Sequence, residues 1–386
     1  MKKIQLLNKI ASIGTDRFPA TYTCTEDGTE ATAIMVRSAA MHDMQFPATV
    51  RAIARAGAGV NNIPVDRCAE EGIVVFNTPG ANANGVKELA IAALMLASRD
   101  IVGGIAWANS LAGTTDVAKQ VEKGKSKFAG VEVKGKKLGV IGLGAIGGML
   151  ANVAVELGMQ VVGCDPFLSV EAAWKLSSSV QKAASYDEIF ETCDYISLHV
   201  PATPETKGMI KAETIARMKD GVRIINLARA DLVNAADVKA ALAAGKMASY
   251  VTDFPTEETV GVPGIVAIPH LGASTNESED NCAVMAADQL IAFLECGNIK
   301  NSVNYPNAEM PHNGAARICV MHKNEQGLLT QITGMAAEGG LNIENLLNRS
   351  KGNYAYTILE LTCEIPAGLC EKMKAIDGVI RVTAYN

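Results

Sequence analysis

The stretch LGVIGLGAIG, residues 138–147, decides the fold of this chain. An apolar run leads into glycines at 142, 144 and 147, a helical pattern follows and stops at Gly158, and QVVGCD (160–165) begins the next apolar run. Asp165 thus comes eighteen residues after Gly147. A glycine-rich turn between a strand and a helix, with an acidic residue at this distance, is the pattern of a dinucleotide-binding βαβ unit.

Each of these residues has a physical task in such a unit. Gly142, Gly144 and Gly147 allow a tight turn and let a pyrophosphate approach the N–H groups at the positive end of the helix. Asp165 would accept a hydrogen bond from a ribose 2′-hydroxyl and repel a 2′-phosphate, which favours NAD over NADP as cofactor. The alternative is a purely structural glycine turn with a capping aspartate.

Further apolar runs extend this unit into a doubly wound parallel sheet. They are nearly continuous in Val, Ile and Leu, as strands covered on both faces must be. The predicted strands cover 138–143, 160–165, 195–201, 222–228, 249–254 and 265–270.

A smaller α/β domain is predicted before this sheet. It comprises a strand at 34–38, a helix through 51–56 and a strand within 72–80. Two long helical patterns, 86–101 and 276–296, are interpreted as crossovers that link two domains around a cleft; the alternative is a pair of core helices.

After the Asn- and Pro-rich segment 301–314, the pattern restarts as strand, helix, strand, strand, helix, strand, which is the ferredoxin-like order. The last of these strands is predicted over 378–386. We therefore predict a substrate-binding domain (1–86 with 276–306), a Rossmann domain (87–275) and a third domain (315–386).

Composition narrows the class of protein. The 386 residues are 48% hydrophobic and carry a formal charge of −6, which argues against general attraction to nucleic acid or to an anionic membrane. The nine cysteines are scattered, without the spacing of a metal site, and predict reduced thiols and no bound metal. With no signal peptide and no long apolar run, we expect a cytoplasmic protein.

Polar side chains stand at the ends of four predicted strands: His199, Arg229, Asp253 and His270. Ligands of open α/β sheets bind at these carboxyl ends. Arginine suits a carboxylate because it donates two parallel hydrogen bonds, and histidine can take or give a proton near neutrality. Arg229 and His270 are therefore candidates to bind and oxidise a hydroxy acid, with Glu257 to orient the imidazole; ion-pair, strand-capping and surface roles are the respective alternatives.

These motifs resemble, in order and spacing over residues 33–300, the D-isomer-specific 2-hydroxyacid dehydrogenases. The matching stretches are GLGAIG with Asp165, LHVPATPETKGMI (198–210), NLARADLV (226–233), DFPTE (253–257) and PHLGAST (269–275). The resemblance implies that Arg229 binds the substrate carboxylate and keto oxygen, that His270 is the acid/base, and that Glu257 is its partner. It implies a cofactor site formed by Gly142, Gly144, Ala145, Ile146, Gly147, Asp165, His199, Val200, Pro201, Thr206, Leu227, Ala228, Asp253 and Gly272.

Within the family, the resemblance is to the branch that oxidises 3-phosphoglycerate to 3-phosphohydroxypyruvate. It implies a smaller, flavodoxin-like substrate domain in which Arg37 and Ser38 contact the phosphate-bearing substrate. Gly59 and Val60 would bind the carboxylate through the backbone, and Asn82 would add a polar group.

The C-terminal segment resembles an ACT domain, a small module that senses an amino acid. His322, Asn324 and Asn342 match positions that bind serine between paired domains, so L-serine is the expected effector and a homodimer or homotetramer the expected assembly.

The sequence departs from the family at three positions. Ala230 replaces a usual Gly, Gln326 replaces the usual Pro of the ACT loop, and Glu258 replaces a Pro, so that Glu258 is an alternative to Glu257 as partner of His270. The alternative functions are another dehydrogenase of the family, acting on glycerate, hydroxypyruvate or erythronate 4-phosphate, and an NAD-sensing corepressor that binds proteins.

Overall fold

A computed structural model describes residues 1–385 of the chain. The chain divides into two compact units. The first unit contains Met1–Asn82 together with the chain from Asn276 onward, and the second unit contains Ala83–Thr275. The chain passes from one unit to the other immediately before each of two long helices.

The N-terminal part of the first unit is a five-stranded parallel sheet. In chain order its elements are β1 (Lys2–Leu6), α1 (Ser12–Thr15), β2 (Tyr22–Thr25), β3 (Ala33–Val36), β4 (Ala52–Arg55), α2 (Val65–Glu70) and β5 (Val74–Phe76). The strand order is β2-β1-β3-β4-β5, which is the flavodoxin-like order.

One prediction for this sheet is wrong. The segment 51–56 was expected to be a helix, but Ala52–Arg55 is strand β4, paired in parallel with β3 and β5. Its first three residues are fully buried in the middle of the sheet. Tertiary packing here overrides the helix preference of an alanine-rich segment.

The second unit contains a seven-stranded sheet with helices from the intervening chain. Its helices are α3 (Ala83–Ser98), α4 (Ile101–Ser110), α5 (Val117–Gly124), α6 (Ala145–Glu156), α7 (Val170–Ala173), α8 (Tyr186–Thr192), α9 (Ala212–Arg217) and α10 (Ala235–Ala243). Its strands are β6 (Lys137–Ile141), β7 (Gln160–Cys164), β8 (Gln181–Lys182), β9 (Tyr195–Leu198), β10 (Val222–Asn226), β11 (Met247–Thr252) and β12 (Ile265–Ala267).

All neighbouring strands of this sheet run parallel, in the order β8-β7-β6-β9-β10-β11-β12. This is the Rossmann order with one further strand, and the order reverses between β6 and β9. The six strands predicted from the sequence are confirmed, and only the two-residue β8 was not expected. A ligand is therefore expected at the carboxyl ends of β6 and β9.

Within residues 1–385, no single helix is both long and apolar enough to cross a membrane. Only α3 and α4 taken together have the length and composition of a span, and they meet at a bend of 70°. Seven residues of helix α3 are buried, as in a core helix.

The chain returns to the first unit through α11 (Asn276–Cys296), a helix whose bounds match the predicted 276–296. It then forms β13 (Ala316–Lys323), α12 (Leu328–Glu338), β14 (Ile343–Lys351), β15 (Tyr354–Leu361), α13 (Leu369–Lys374) and β16 (Val379–Tyr385). The antiparallel order β14-β15-β13-β16 is the ferredoxin-like arrangement that the sequence predicts; residue 386 of the last predicted strand lies outside the described residues. We call β13–β16 with α12 and α13 the C-terminal module.

The C-terminal module shares a hydrophobic core with the rest of the first unit. Met321 and Tyr356 belong to one buried cluster with Phe76 of β5 and Phe293 of α11. The segment before the module also packs tightly, since Ser302 pairs with Phe76 and the Asn304 side chain bonds the backbone of Ile73 and Val75. The module is therefore packed against the N-terminal sheet rather than held by the chain connection alone.

A buried ion pair fixes the start of the module. Arg317 and Glu360 are both fully buried, and Arg317 Nε donates to Glu360 Oε2 at 2.6 Å. The other guanidinium nitrogens of Arg317 donate to carbonyl oxygens of Cys296, Met310 and Pro311. Burial by itself raises the pKa of Glu360, but hydrogen bonds from Gly314, His312 and Arg317 outweigh burial and lower it to about 2.

Replacing Glu360 by glutamine should reduce the free energy of unfolding by about 3–5 kcal/mol, because Arg317 would remain buried without a counter-charge. Urea unfolding near neutral pH measures this loss. The matched control is Asp220→Asn, which removes an exposed pair with Lys246 (2.8 Å) and should cost about 0–1 kcal/mol. Equal losses in the two variants would contradict the interpretation.

The stabilisation by Glu360 should also depend on pH. Because the pKa of Glu360 is lower in the folded chain, its stabilising effect is complete above pH 4.5 and is lost as the pH falls toward about 2.

Candidate functional site

The glycine turn lies where the order of the seven-stranded sheet reverses. Gly142 directly follows β6 and has φ 91°, and a Cβ there would lie 2.6 Å from the carbonyl oxygen of His199, the residue after β9. A Cβ on Gly147 would lie 2.0 Å from the carbonyl oxygen of Gly142. Around Gly144, the residue before α6, no atom stands within 4 Å of the Cβ position. Two glycines therefore close the turn, and the third leaves open space at the helix N-terminus.

The carboxylate of Asp165 is fixed beside this turn. Its Oδ2 accepts the N–H of Leu143 at 2.9 Å, and its Oδ1 accepts the N–H of Phe167 at 2.9 Å. Each carboxylate oxygen keeps a further acceptor position, which fits the ribose hydroxyls of a dinucleotide. The open space at Gly144 and the position of Asp165 agree with what such a cofactor requires.

The two glycines allow a paired test of this arrangement. Gly147→Ala should reduce the free energy of unfolding by about 1–3 kcal/mol, since the backbone must shift to accept the methyl group. Gly144→Ala should cost less than about 1 kcal/mol but weaken NAD binding about tenfold or more, because its methyl group occupies the approach to the helix N-terminus. Urea unfolding and calorimetric NAD titration of both variants measure the two effects. Unaltered NAD affinity in a folded Gly144→Ala protein would contradict the assignment of this turn.

The chain after β9 forms the next wall of the site. His199 is half-buried, its Nε2 lies 2.8 Å from Ser197 Oγ, and burial lowers its pKa to about 4. A neutral imidazole is consistent with a lining role rather than proton transfer. Thr206 Oγ1 donates to the carbonyl oxygen of Pro201 at 2.6 Å and accepts the N–H of Thr203, which fixes the loop. Of the other predicted cofactor residues, Val200 and Ile146 are half-buried, while Pro201 and Ala145 are exposed.

Arg229 is positioned by a residue that sequence reasoning missed. Asn226, the last residue of β10, is fully buried; its amide donates to the carbonyl oxygen of Arg229 at 2.8 Å and its Oδ1 accepts the N–H of Ala228 at 3.2 Å. The exposed guanidinium of Arg229 donates to the carbonyl oxygen of Ala228 at 2.7 Å. Leu227 is buried beneath this turn. An Asn at the end of an apolar strand was the available signal for this positioning role.

Asp253 carries a buried acceptor without a partner. The residue is 1% exposed, and its Oδ1 makes no hydrogen bond with any described residue. Burial raises its pKa, while the charges of His270 and Arg229 and the N–H of Gly272 act in the opposite direction. The structure thus brings Arg229, Asp253, His270 and Gly272 together, around an acceptor that could bind a carboxamide N–H.

The predicted partner of His270 does not bond to it. His270 and Glu257 are both exposed, and no hydrogen bond or ion pair joins their side chains within residues 1–385. The ring of His270 instead packs on Phe254, with centroids 4.6 Å apart. Glu258 is exposed as well. The choice between Glu257 and Glu258 therefore stays a prediction.

The predicted substrate residues of the first unit cluster at strand ends. Arg37 and Ser38 follow β3, and their N–H groups both donate to Asn8 Oδ1 at 2.9 Å. Arg37 also pairs with Glu279 at 2.6 Å. Asn8 follows β1, a strand that the sequence did not predict, so its role was missed.

Arg55, the last residue of β4, is a second missed candidate. Its Nε donates to the carbonyl oxygen of Arg37 at 3.1 Å. Its guanidinium reaches the loop of Gly59 and Val60, since a Cβ on Gly57 would lie 2.3 Å from Arg55 Nη1. Burial is the main cause that lowers the pKa of Arg55, and the positive charge of Arg37 lowers it further. Two guanidinium groups therefore stand at neighbouring strand ends; Asn82 lies half-buried in the chain after β5.

The predicted serine-binding residues differ in how exposed they are. His322 is 3% exposed, with Nε2 at 2.9 Å from Thr357 Oγ1 and Nδ1 at 2.7 Å from the carbonyl oxygen of Lys323. Asn324 and Asn342 are exposed, and Asn324 donates to the carbonyl oxygen of Gly352 at 3.1 Å.

Within residues 1–385, no cluster of His, Cys, Asp and Glu side chains is arranged to hold a metal ion.

Comparison with known proteins agrees with this geometry. Residues 103–272 match the family model described as D-isomer specific 2-hydroxyacid dehydrogenase, NAD binding domain. The D-3-phosphoglycerate dehydrogenases of Haemophilus influenzae and Escherichia coli K12 are each 32% identical to this chain, over 84% of it and 78% of their own length.

Solved structures show the same similarity. The NAD+-bound 3-phosphoglycerate dehydrogenase of Entamoeba histolytica is 28% identical, with a TM-score of 0.58 over 78% of this chain and 98% of its own. The D-mandelate dehydrogenase of Rhodotorula graminis, 22% identical, shares the fold with a TM-score of 0.65 over 80% of this chain and 99% of its own. The chain therefore belongs to the D-isomer specific 2-hydroxyacid dehydrogenase family of oxidoreductases and carries the NAD-binding domain of that family.

Proposed function

We propose that this protein uses NAD to oxidise D-3-phosphoglycerate to 3-phosphohydroxypyruvate, the first step of phosphorylated serine synthesis. The observation that carries the proposal is the pair of guanidinium groups, Arg37 and Arg55, at neighbouring strand ends beside the Gly57–Val60 loop. A substrate with a phosphate and a carboxylate needs more than one fixed cation. Relatives named D-3-phosphoglycerate dehydrogenase support the choice of substrate.

The residues of the second unit then have distinct roles. Arg229 binds the substrate carboxylate and the C2 oxygen, and Asn226 keeps its backbone in place. His270 takes the proton from the C2 hydroxyl during oxidation and returns it during reduction. NAD, when bound, would supply the hydride acceptor for C2. Asp253, whose Oδ1 bonds no described residue, would hold the nicotinamide carboxamide.

Glu257 is our proposed partner for His270 in the working enzyme. Its carboxylate would fix the imidazole tautomer and favour the protonated form. This contact requires a rearrangement of side chains or of the loop 254–258, because the imidazole packs on Phe254 and bonds neither glutamate in this structure. Glu258, next along the same loop, is the alternative; comparing Glu257→Gln with Glu258→Gln separates them, since only the partner's loss shifts the pH profile of kcat.

Phosphate recognition can be tested with a matched pair of arginines. The side chains of Arg37 and Arg17 are 44% and 49% exposed, and both pair with an acidic residue of α11, at 2.6 Å and 2.5 Å. Arg37→Met should lower kcat/KM for 3-phosphohydroxypyruvate about tenfold or more and leave that for hydroxypyruvate nearly unchanged. Arg17→Met should change neither. Equal losses on both substrates in Arg37→Met would remove the support for a phosphorylated substrate.

We further propose that the C-terminal module acts as an ACT domain and that the enzyme is a homo-oligomer regulated by L-serine. The ferredoxin-like strand order supports the module, and Asn324 and Asn342 are exposed for a ligand. His322 would have to exchange its bond to Thr357 or Lys323 for one to the ligand. Adding L-serine should inhibit turnover and should fail to do so in Asn324→Ala. Undiminished turnover at saturating serine would exclude serine as the effector.

A further inference from the structure

A cavity of about 650 Å³ lies between the N-terminal sheet and the C-terminal module, within the first unit. One side comes from the chain around β4 and β5, and the other from α13 and β16. It lies at the opposite end of β4 from the candidate substrate residues: Arg51 precedes the strand and Arg55 ends it, about 13 Å further along. The cavity is therefore separate from the site already described.

Three cationic side chains line this cavity: Arg51, Lys374 and Arg381. Arg381 donates to the carbonyl oxygens of Val50 (2.9 Å) and Glu71 (3.2 Å). Arg51 donates to the hydroxyl of Tyr385 at 2.5 Å and lies over the rings of Phe293 and Tyr385. Among residues 1–385, neither guanidinium forms a close ion pair with a carboxylate; their hydrogen-bond partners are a hydroxyl and two carbonyl oxygens.

The two arginines are close enough to repel each other. Burial, followed by the charge of Arg51, lowers the pKa of Arg381. Gly72, with φ 69°, brings the chain against Arg381, since a Cβ there would lie 3.1 Å from the arginine Cβ. The fold therefore holds two like charges together although this arrangement costs free energy.

The acidic groups of the cavity offset this charge only in part. Two carboxylates, Glu71 and Glu371, line it beside the three cationic side chains, and Glu71, which attracts Arg381, also pairs with Arg67 at 3.6 Å. The remaining walls include the apolar side chains of Phe46, Ile73 and Ile380. The lining thus combines excess positive charge with an apolar surface, which suits a small organic anion.

We propose that this cavity binds a small organic anion carrying carboxylate or phosphate groups, with Arg51, Arg381 and Lys374 as its cationic contacts. The ligand would bridge the N-terminal sheet and the C-terminal module. This proposal goes beyond the dehydrogenase reaction and does not depend on the identity of its substrate.

Calorimetric titration with citrate, and separately with inorganic phosphate, tests the proposal. All proteins in the titration carry Arg37→Met, which weakens anion binding at the candidate substrate site. In this background, Lys374→Gln and Arg381→Gln should each weaken binding about tenfold. Lys372→Gln is the matched control, because Lys372 lies on the same helix and does not line the cavity.

Two outcomes would overturn the proposal. One is the absence of binding of both anions to the Arg37→Met protein. The other is equal affinity of the Lys374→Gln and Lys372→Gln proteins. Lys374 is exposed, so its variant should fold normally, and thermal unfolding of each variant without anion checks this.

Discussion

Alanine in place of His270 should lower kcat by about 10²–10⁴-fold, the contribution of a positioned general acid–base group. His270 lies with Arg229 around the buried carboxylate of Asp253, and its ring is exposed and packed on Phe254. Removing the imidazole leaves no group at that position to take the C2 hydroxyl proton. Stopped-flow measurement of NADH oxidation with 3-phosphohydroxypyruvate gives the rate, and NAD titration should give an affinity close to that of the wild type.

His42→Ala is the control for this variant. His42 is also exposed, but it lies in the first unit, and its Nε2 is 2.8 Å from the carbonyl oxygen of Asn61. Its replacement should leave kcat unchanged. A His270→Ala enzyme with wild-type kcat would require another acid–base group and would refute the proposed role.

Arg229→Ala should lower kcat/KM by about 10²–10⁴-fold. Two charge-assisted hydrogen bonds to a carboxylate are worth about 1.5–3 kcal/mol each, and both are lost. Arg229→Lys should recover part of the loss, because lysine keeps the charge but not the planar pair of donors. Steady-state kinetics of both variants measure the effect.

The surface residue Arg217 provides the comparison for Arg229. It pairs with Asp187 and Glu191 on the exterior of the same unit, and Arg217→Ala should retain full activity. Equal kcat/KM values for the Arg229→Ala and wild-type enzymes would show that the substrate carboxylate is bound elsewhere.

The predictable parts of the fold are the strands that form continuous apolar runs in the sequence. The strands of the seven-stranded sheet are covered on both faces, so they read as Val, Ile and Leu runs, and the glycine turn follows the first of them. Strand β1 was missed because only Ile4 among its five residues is fully buried. Strand β4 differs from the predicted helix because its alanines carry little strand preference, and pairing with both neighbours makes it a strand.

The residues of the candidate site could be predicted where a charged or titratable side chain interrupts an apolar sequence. Arg229, Asp253 and His270 stand out at the ends of apolar strands, and the structure brings them together. Asn8, Asn226 and Arg55 were missed because their roles depend on contacts with backbone groups of loops: Asn8 lies 29 residues before Arg37. The loop that carries Glu257 could not be placed from sequence spacing, since its contact with His270 depends on the loop conformation.

NADH consumption by the purified protein with 3-phosphohydroxypyruvate tests the central claim most directly. The account predicts rapid turnover, a higher kcat/KM than with hydroxypyruvate, and loss of activity in Arg229→Ala. Retained NAD binding without turnover of 3-phosphohydroxypyruvate would contradict the proposed substrate, and turnover of another 2-keto acid would then identify a different reaction within the same family.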